Sequence, residues 1–189
     1  MKASVYIATS LDGFIARENG DLDWLEGSGE EVAEEKEEVS QDSAQGEDYG
    51  YKAFMDSVDA LVMGRNTFEK VLSLGPWGYG DKLVFVLSSR PLEIPKHLSQ
   101  TVEAMSGSPE EVTARLSERG MTHLYIDGGE TVQRFLRSGL IQRLIITKMP
   151  ILIGTGIPLF GPLGRDIKLR HVRTQSYPSG FVQSEYEIV

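Results

Sequence analysis

The sequence contains no cysteine and only three histidines. Without cysteine there can be no disulfide, no thiolate nucleophile and no cysteine-ligated zinc, so any redox chemistry must belong to a cofactor. His97, His123 and His171 stand far apart without acidic neighbours at ligand spacing, and each reads as a surface or satisfied core residue rather than a metal ligand. No stretch approaches the ~20 apolar residues that a membrane span needs. The opening MKASVYIATSLDGFIA interleaves polar residues within a few positions, unlike a signal-peptide core, so a soluble cytoplasmic protein is expected. Basic residues are also scarce, with 19 Lys and Arg against 28 Asp and Glu and a formal net charge of −9. No cluster of Lys and Arg with interleaved aromatics is present, which argues against nucleic acid as a partner. Much of the acidity is local: from Glu26 to Asp48 there are ten acidic residues against the single Lys36. This stretch reads as an acidic surface insertion at about 27–48, a solvated helix or loop, with a functional lid as the alternative.

A chain of 189 residues with 40% hydrophobic content suits one domain, 1–189, able to bury roughly 70% of its unfolded surface. Val5, Ile7 and Thr9 alternate with Tyr6 and Ala8 in a strand that stops at Asp12-Gly13. The Gly20–Leu25 stretch reads as a turn with a large apolar anchor, Trp24. Tyr51, Phe54, Met55 and Val58 fall at helical spacing, and Ala60–Met63 is a buried-type strand running into Gly64. Thr67 is placed to cap a short helix ending near Gly75-Pro76, and LVFVL at Leu83–Leu87 is the next buried strand. Ser108, Pro109 and Glu111 have the form of a capping box with proline at the first helical position, and Gly120 stands where that helix would stop. Leu124–Ile126 reads as a strand, Asp127-Gly128-Gly129 as a tight turn, and Thr131–Ser138 as a helix. Leu144–Thr147, Ile167–Gln175 and Phe181–Ile188 read as late strands, the last two joined by SYPSG as a hairpin. The alternation predicts an α/β fold: a mixed sheet, mostly parallel, with a C-terminal antiparallel hairpin and helices on both faces.

Three strand ends carry glycine or hydroxyls where open α/β sheets bind ligands. Met63-Gly64-Arg65-Asn66-Thr67 leads from a strand into a helix, so its amides, the helix dipole and Arg65 can face a phosphate. Leu87-Ser88-Ser89-Arg90 ends the next strand, and Gly128-Gly129 precedes a further helix and lets a pyrophosphate approach the backbone closely. Each taken alone is more often only a turn; three together exceed what turns require. GTGIPLFG, at Gly154–Gly161, fails as a dinucleotide fingerprint because Leu159 stands where the third glycine must be. Phosphate-loop, zinc-protease and nucleophile-elbow motifs are missing, so metal chemistry and acyl transfer are disfavoured.

The motifs TSLDGFIA (Thr9–Ala16), GDLDWL (Gly20–Leu25), DALVMGRNTFE (Asp59–Glu69), VLSSR (Val86–Arg90), YIDGGETVQRFL (Tyr125–Leu136) and LIITKMPILIGTGIPLF (Leu144–Phe160) resemble, in order and spacing, the dihydrofolate reductase superfamily. Within it they are most similar to the riboflavin-biosynthesis reductase group, the RibD C-terminal type. The resemblance implies NADPH as cofactor, with Ala8 and Ile15 against the nicotinamide and Gly20–Trp24 in the loop that closes over it. Gly64, Arg65 and Thr67, with Ser88, Ser89 and Arg90, would hold the pyrophosphate and 2′-phosphate. Gly128 and Gly129 would form a cis glycine pair, and Thr147 would lie by the substrate ring. Dihydrofolate reductases also carry a carboxylate on the first helix. Counting back from MGR reaches Asp48, which otherwise reads as a helix cap. PILIGTGIPLF belongs to the riboflavin-type branch instead, and a cysteine-free chain resembles only its reductase half, not the zinc deaminase. The expectation is therefore an NADPH-dependent reductase of a small pyrimidine, pteridine or ribosylamino substrate, assembled as a homodimer like its look-alikes. Authentic dihydrofolate reduction and a non-catalytic binding module of the same fold are the alternatives.

Overall fold

Parallel strands packed on both faces must be apolar on both faces, and the segment Ala60–Met63 shows how this chain meets that demand. In the computed structural model, which describes residues 1–26 and 48–189, Ala60 and Val62 enter one core while Leu61 and Met63 enter another on the opposite side of the sheet. The acidic stretch expected as a surface insertion lies outside the described residues but for its last residue, Asp48.

The elements run β1 (Lys2–Thr9), β2 (Phe14–Ala16), α1 (Asp23–Glu26), α2 (Tyr51–Ser57), β3 (Ala60–Gly64), α3 (Arg65–Ser73), β4 (Leu83–Leu87) and β5 (Val102–Met105). They continue with α4 (Pro109–Glu118), β6 (His123–Asp127), α5 (Gly129–Arg137), β7 (Arg143–Lys148), β8 (Ile157–Pro158), β9 (Leu169–Ser176) and β10 (Val182–Ile188). Eight strands form one sheet in the order β5-β4-β3-β6-β1-β7-β10-β9. Every pairing from β5 to β7 is parallel, and β10 runs antiparallel to both neighbours. The mixed sheet with its C-terminal hairpin is thus as expected. α4 and α5 cover one face through Val112, Leu116, Val132 and Phe135, and α2 and α3 cover the other through Phe54 and Phe68. Each of these fully buried large side chains contributes roughly 1.5–3 kcal/mol of transfer free energy.

The Ser108 capping box is present with both reciprocal hydrogen bonds and Pro109 in the first turn. Two expectations need correction, and one pairing was not anticipated. Thr67 caps nothing: α3 begins two residues earlier, with Gly64 as its N-cap in extended backbone. The Phe14–Ala16 segment pairs with Ile157–Pro158, a contact too short and too distant in sequence to read from periodicity. The Gly128–Gly129 bond is trans, since Gly128 at φ 86° and ψ 140° turns the chain from β6 into α5 by itself. Only glycine visits that conformation cheaply.

Candidate functional site

Because β1, β3, β4 and β6 are parallel, their carboxyl ends share one edge of the sheet, and a cavity of about 810 Å³ opens there. All ten residues expected to hold a cofactor line it. Ala8 and Ile15 come from β1 and β2, Gly64, Arg65 and Thr67 from the β3–α3 junction, Ser88, Ser89 and Arg90 from the end of β4, and Gly128 and Gly129 from the β6–α5 junction.

The first turns of α3 and α5 both border this cavity, through Arg65-Asn66-Thr67 and Gly129-Glu130-Thr131. Two helix N-termini with unpaired amides therefore converge on one space, an arrangement that favours phosphate. The junctions are packed tightly. A Cβ on Gly64 would stand 3.1 Å from Thr131 Oγ1, one on Gly128 would overlap the Thr67 hydroxyl, and one on Gly129 would lie 2.9 Å from Ile15 Cδ1. Glycine at all three positions brings bare backbone to the cavity wall.

Arg65 ties the ends of β3 and β4 together. Its Nε and Nη2 donate to Ser88 Oγ at 3.1 and 3.0 Å, and Nη2 also reaches the carbonyls of Arg90 and Pro91. Its charge faces the cavity while most of its donors are in use. The Arg90 guanidinium is exposed and has no hydrogen bond among the described residues. The Gly20–Leu25 loop contributes Gly20, Leu22 and Leu25 to the wall. Two ion pairs pin it, Arg17 with Asp23 at 2.6 Å and Lys70 of α3 with Asp21 at 2.9 Å. Trp24 anchors it in a third apolar cluster with Met149, Tyr177 and Phe181.

The two residues expected to act on substrate do not line the cavity. Asp48 is exposed at the start of α2, where its carboxylate accepts from the amides of Gly50 (2.9 Å) and Lys52 (3.1 Å). Those bonds hold its carboxyl below the ordinary range, so the helix-end role is the one it plays here. Thr147 is buried, and its hydroxyl accepts from Gln183 Nε2 at 3.0 Å. The same amide reaches Tyr6 Oη at 3.0 Å and the Tyr49 carbonyl at 3.2 Å, so Thr147 belongs to a network that joins β7, β10 and β1 to the α2 entrance.

Sequence reasoning does not single out Asp127, which reads there only as part of a turn. It is the last residue of β6, lines the cavity, and accepts from the Gly128 amide at 2.8 Å. Burial pushes its carboxyl up from 3.8 to about 6, against the Gly128 amide, which favours the ionised form. Strand alternation is the available signal, since it puts Asp127 on the same face as Tyr125, among aromatic rings.

The model of the RibD C-terminal domain matches residues 2–183. The uncharacterized protein YwjB of Bacillus subtilis (strain 168) is 35% identical over 179 residues, covering 93% of this chain and 92% of that protein. Among solved structures, a candidate riboflavin biosynthesis protein from Shewanella sp. PV-4 superposes with a TM-score of 0.86 at 39% identity, over 100% of this chain and 99% of that one. The diaminohydroxyphosphoribosylaminopyrimidine deaminase/5-amino-6-(5-phosphoribosylamino)uracil reductase of Thermotoga maritima shares the fold, with a TM-score of 0.69 at 14% identity over 100% of this chain and 56% of that one. So does the dihydrofolate reductase of Enterococcus faecalis, solved with NADP(H), with a TM-score of 0.62 at 16% identity over 99% of this chain and 96% of that one. The sheet order, the cavity at its carboxyl edge and these matches have one reading: the chain belongs to the RibD C-terminal domain family, a reductase-type branch of the dihydrofolate reductase fold.

Proposed function

We propose that this protein is an NADPH-dependent reductase that transfers a hydride to a small pyrimidine- or pteridine-type substrate, in the manner of a 5-amino-6-(5-phosphoribosylamino)uracil reductase. The observation that carries this reading is the convergence of two helix N-termini, three junction glycines and the Arg65 and Arg90 guanidinium groups on one cavity. That donor set fits a dinucleotide diphosphate, and its volume of about 810 Å³ is within the range of ligand pockets.

When bound, a reduced nicotinamide supplies the hydride. The chain's own work is to bind and align. The amides at the starts of α3 and α5, with the Thr67, Ser88 and Ser89 hydroxyls, would hold the phosphates, and Arg90 would meet the 2′-phosphate with a full charge. Ala8, Ile15, Leu22 and Leu25 supply an apolar wall from which water is excluded. Authentic dihydrofolate reduction loses its main support with Asp48 standing outside the cavity. We further place the protein in the cytoplasm, acting as one reductase domain that pairs into a homodimer, without nucleic-acid or membrane partners.

Titration with NADPH and NADH by nicotinamide fluorescence, followed by NADPH oxidation with 5-amino-6-(5-phosphoribosylamino)uracil and with dihydrofolate, tests the reading. Tight NADPH binding with turnover of the uracil is the expected result. Failure to bind NADPH overturns it, and binding without oxidation of any acceptor would mark a module that has kept the fold alone.

A further inference from the structure

We propose that Asp21, by occupying the Lys70 ammonium at the cavity wall, sets the acceptor half of the cavity for a ring without a phosphate: an uncharged pyrimidine- or pteridine-type compound, free or as a plain riboside. This rests on the reductase reading above and narrows its substrate class.

The cavity has two unlike ends. Where the starts of α3 and α5 meet, Arg65, Arg90 and Arg134 stand beside bare amides, and the phosphates of a dinucleotide would fill this end. Along α3, Thr67, Lys70, Val71 and Leu74 all line the wall at the i, i+3, i+4 and i+7 spacing of one helix face. That face runs about 10 Å away from the phosphate end, at 1.5 Å per residue. Beyond Lys70 it is apolar. The Gly20–Leu25 stretch adds Leu22 and Leu25, and Tyr79 comes from the connection between α3 and β4. Leu74 is 57% exposed, an apolar side chain at the wall that a bound ring would cover.

Among the described residues, Lys70 is the only basic side chain lining this half, and it is already taken. Its Nζ donates to Asp21 Oδ1 at 2.9 Å. Asn19 holds the same carboxylate from the other side: its Nδ2 donates to Asp21 Oδ2 at 2.7 Å, and its Oδ1 accepts from the Asp21 amide at 3.0 Å. The Lys70 ammonium, and after it Asn19, keep the Asp21 carboxyl below its ordinary range, so it is ionised at neutral pH. Arg17, the next cation along the loop, is closed onto Asp23 by two bonds of 2.6 and 2.8 Å. The start of α2 is filled too, by the Asp48 carboxylate on the Gly50 and Lys52 amides. A phosphate entering beside Leu74 must therefore displace Asp21 from Lys70 and leave a carboxylate unpaired next to a dianion. A neutral ring meets apolar side chains and leaves the pair intact. A repulsive element against the wrong ligand gives a site its selectivity. An ion pair this exposed contributes little to stability, so its effect falls on what binds rather than on folding.

The test compares 5-amino-6-(5-phosphoribosylamino)uracil with the same compound lacking its phosphate. Both are titrated by calorimetry into the intact protein loaded with NADP+, and both are then offered as acceptors for NADPH oxidation. Wild type should bind the phosphate-free compound about tenfold more tightly and turn over both, the phosphate-free one with the lower KM and a similar kcat. Asp21→Asn frees Lys70 and should bring the two affinities within about a factor of two, chiefly by improving the phosphorylated compound through one charge-assisted contact. Lys70→Met leaves no ammonium to free. It should keep the preference, and adding Asp21→Asn to it should not bring the phosphorylated compound level. A wild type that prefers the phosphorylated compound overturns the proposal, and so does a preference that Asp21→Asn leaves unchanged. Failure of both compounds to bind a wild type that binds NADPH also overturns it and leaves the cofactor reading standing; absence of NADPH binding removes that reading itself.

Discussion

The Arg65 guanidinium grips the Ser88 hydroxyl through two nitrogens, at 3.1 and 3.0 Å, and so locks the end of β3 to the end of β4. A side chain with this duty shapes the phosphate site for any dinucleotide, whereas the exposed Arg90 beside it is free to answer a 2′-phosphate. Arg65→Ala should therefore weaken NADPH and NADH alike, by about one to two orders of magnitude. Arg90→Ala should weaken NADPH by roughly tenfold or more and leave NADH nearly unchanged, the loss of one charge-assisted contact worth ~1.5–3 kcal/mol. NADPH affinity should also fall with added salt. Fluorescence titration of both variants with both cofactors checks this, and a NADPH-to-NADH ratio unchanged in Arg90→Ala removes Arg90 from the phosphate site.

Glycine at the two helix entrances is required to different degrees. Gly128 combines φ 86° with a Cβ position that overlaps the Thr67 hydroxyl, so Gly128→Ala meets both backbone strain and a clash. It should cost about 1–3 kcal/mol and abolish tight cofactor binding. Gly64 has φ −80°, open to any residue, and its added Cβ would only press on Thr131 Oγ1 at 3.1 Å. Gly64→Ala should be the milder change and should be relieved by Thr131→Ala. Thermal melts and NADPH titrations of the three variants measure the difference.

Strand β9 is the last in the sheet, and all eight of its residues are exposed, Leu169 at 44% and Val172 at 45%. An edge of that length with apolar side chains invites pairing, and we propose it as the seam of a homodimer. Light scattering at micromolar concentration should give about twice the 20.9 kDa of one chain, and Val172→Lys should move the species toward the monomer. A wild type that stays at the single-chain mass rules the dimer out.

How far the sequence can be read depends on how local each signal is. The Ser108-Pro109-Glu111 cap and the strands beside Gly64, Ser88 and Gly128 announce themselves within five residues, and all ten expected cofactor contacts fall on one cavity. Pairing of Phe14 with Pro158 joins segments more than 140 residues apart, with too few residues to show a period. β5 is not legible because its burial runs buried, exposed, exposed, buried, which matches neither a strand face nor a helix stripe. Asp127 escapes for a further reason: a carboxylate beside two glycines looks like a turn until the fold buries it. Asp48 is the converse, an acid placed by counting across a stretch with no fixed register.

Asp127 should also leave a mark on stability that is independent of any substrate. Its carboxyl has an ordinary value of 3.8 and stands at about 6 in the folded protein, so between those values the folded state holds the proton more tightly than the unfolded chain does. A group raised in this way contributes stability that is full below about 3.8 and is lost as pH rises through about 6, where a half-buried carboxyl must ionise among phenols. Asparagine keeps the shape and never ionises. Asp127→Asn should accordingly match wild type in urea denaturation near pH 4 and exceed it by about 1–3 kcal/mol at pH 8, since each tenfold difference in proton affinity between the folded and unfolded chain is worth about 1.4 kcal/mol before solvent screening. Asp48→Asn is the control of opposite sign: that carboxyl is held below its ordinary value by the Gly50 and Lys52 amides, so its contribution is present at neutral pH and lost on acidification. If the wild-type and Asp127→Asn stability curves run parallel from pH 4 to pH 8, Asp127 is not the strained acid that the cavity makes of it.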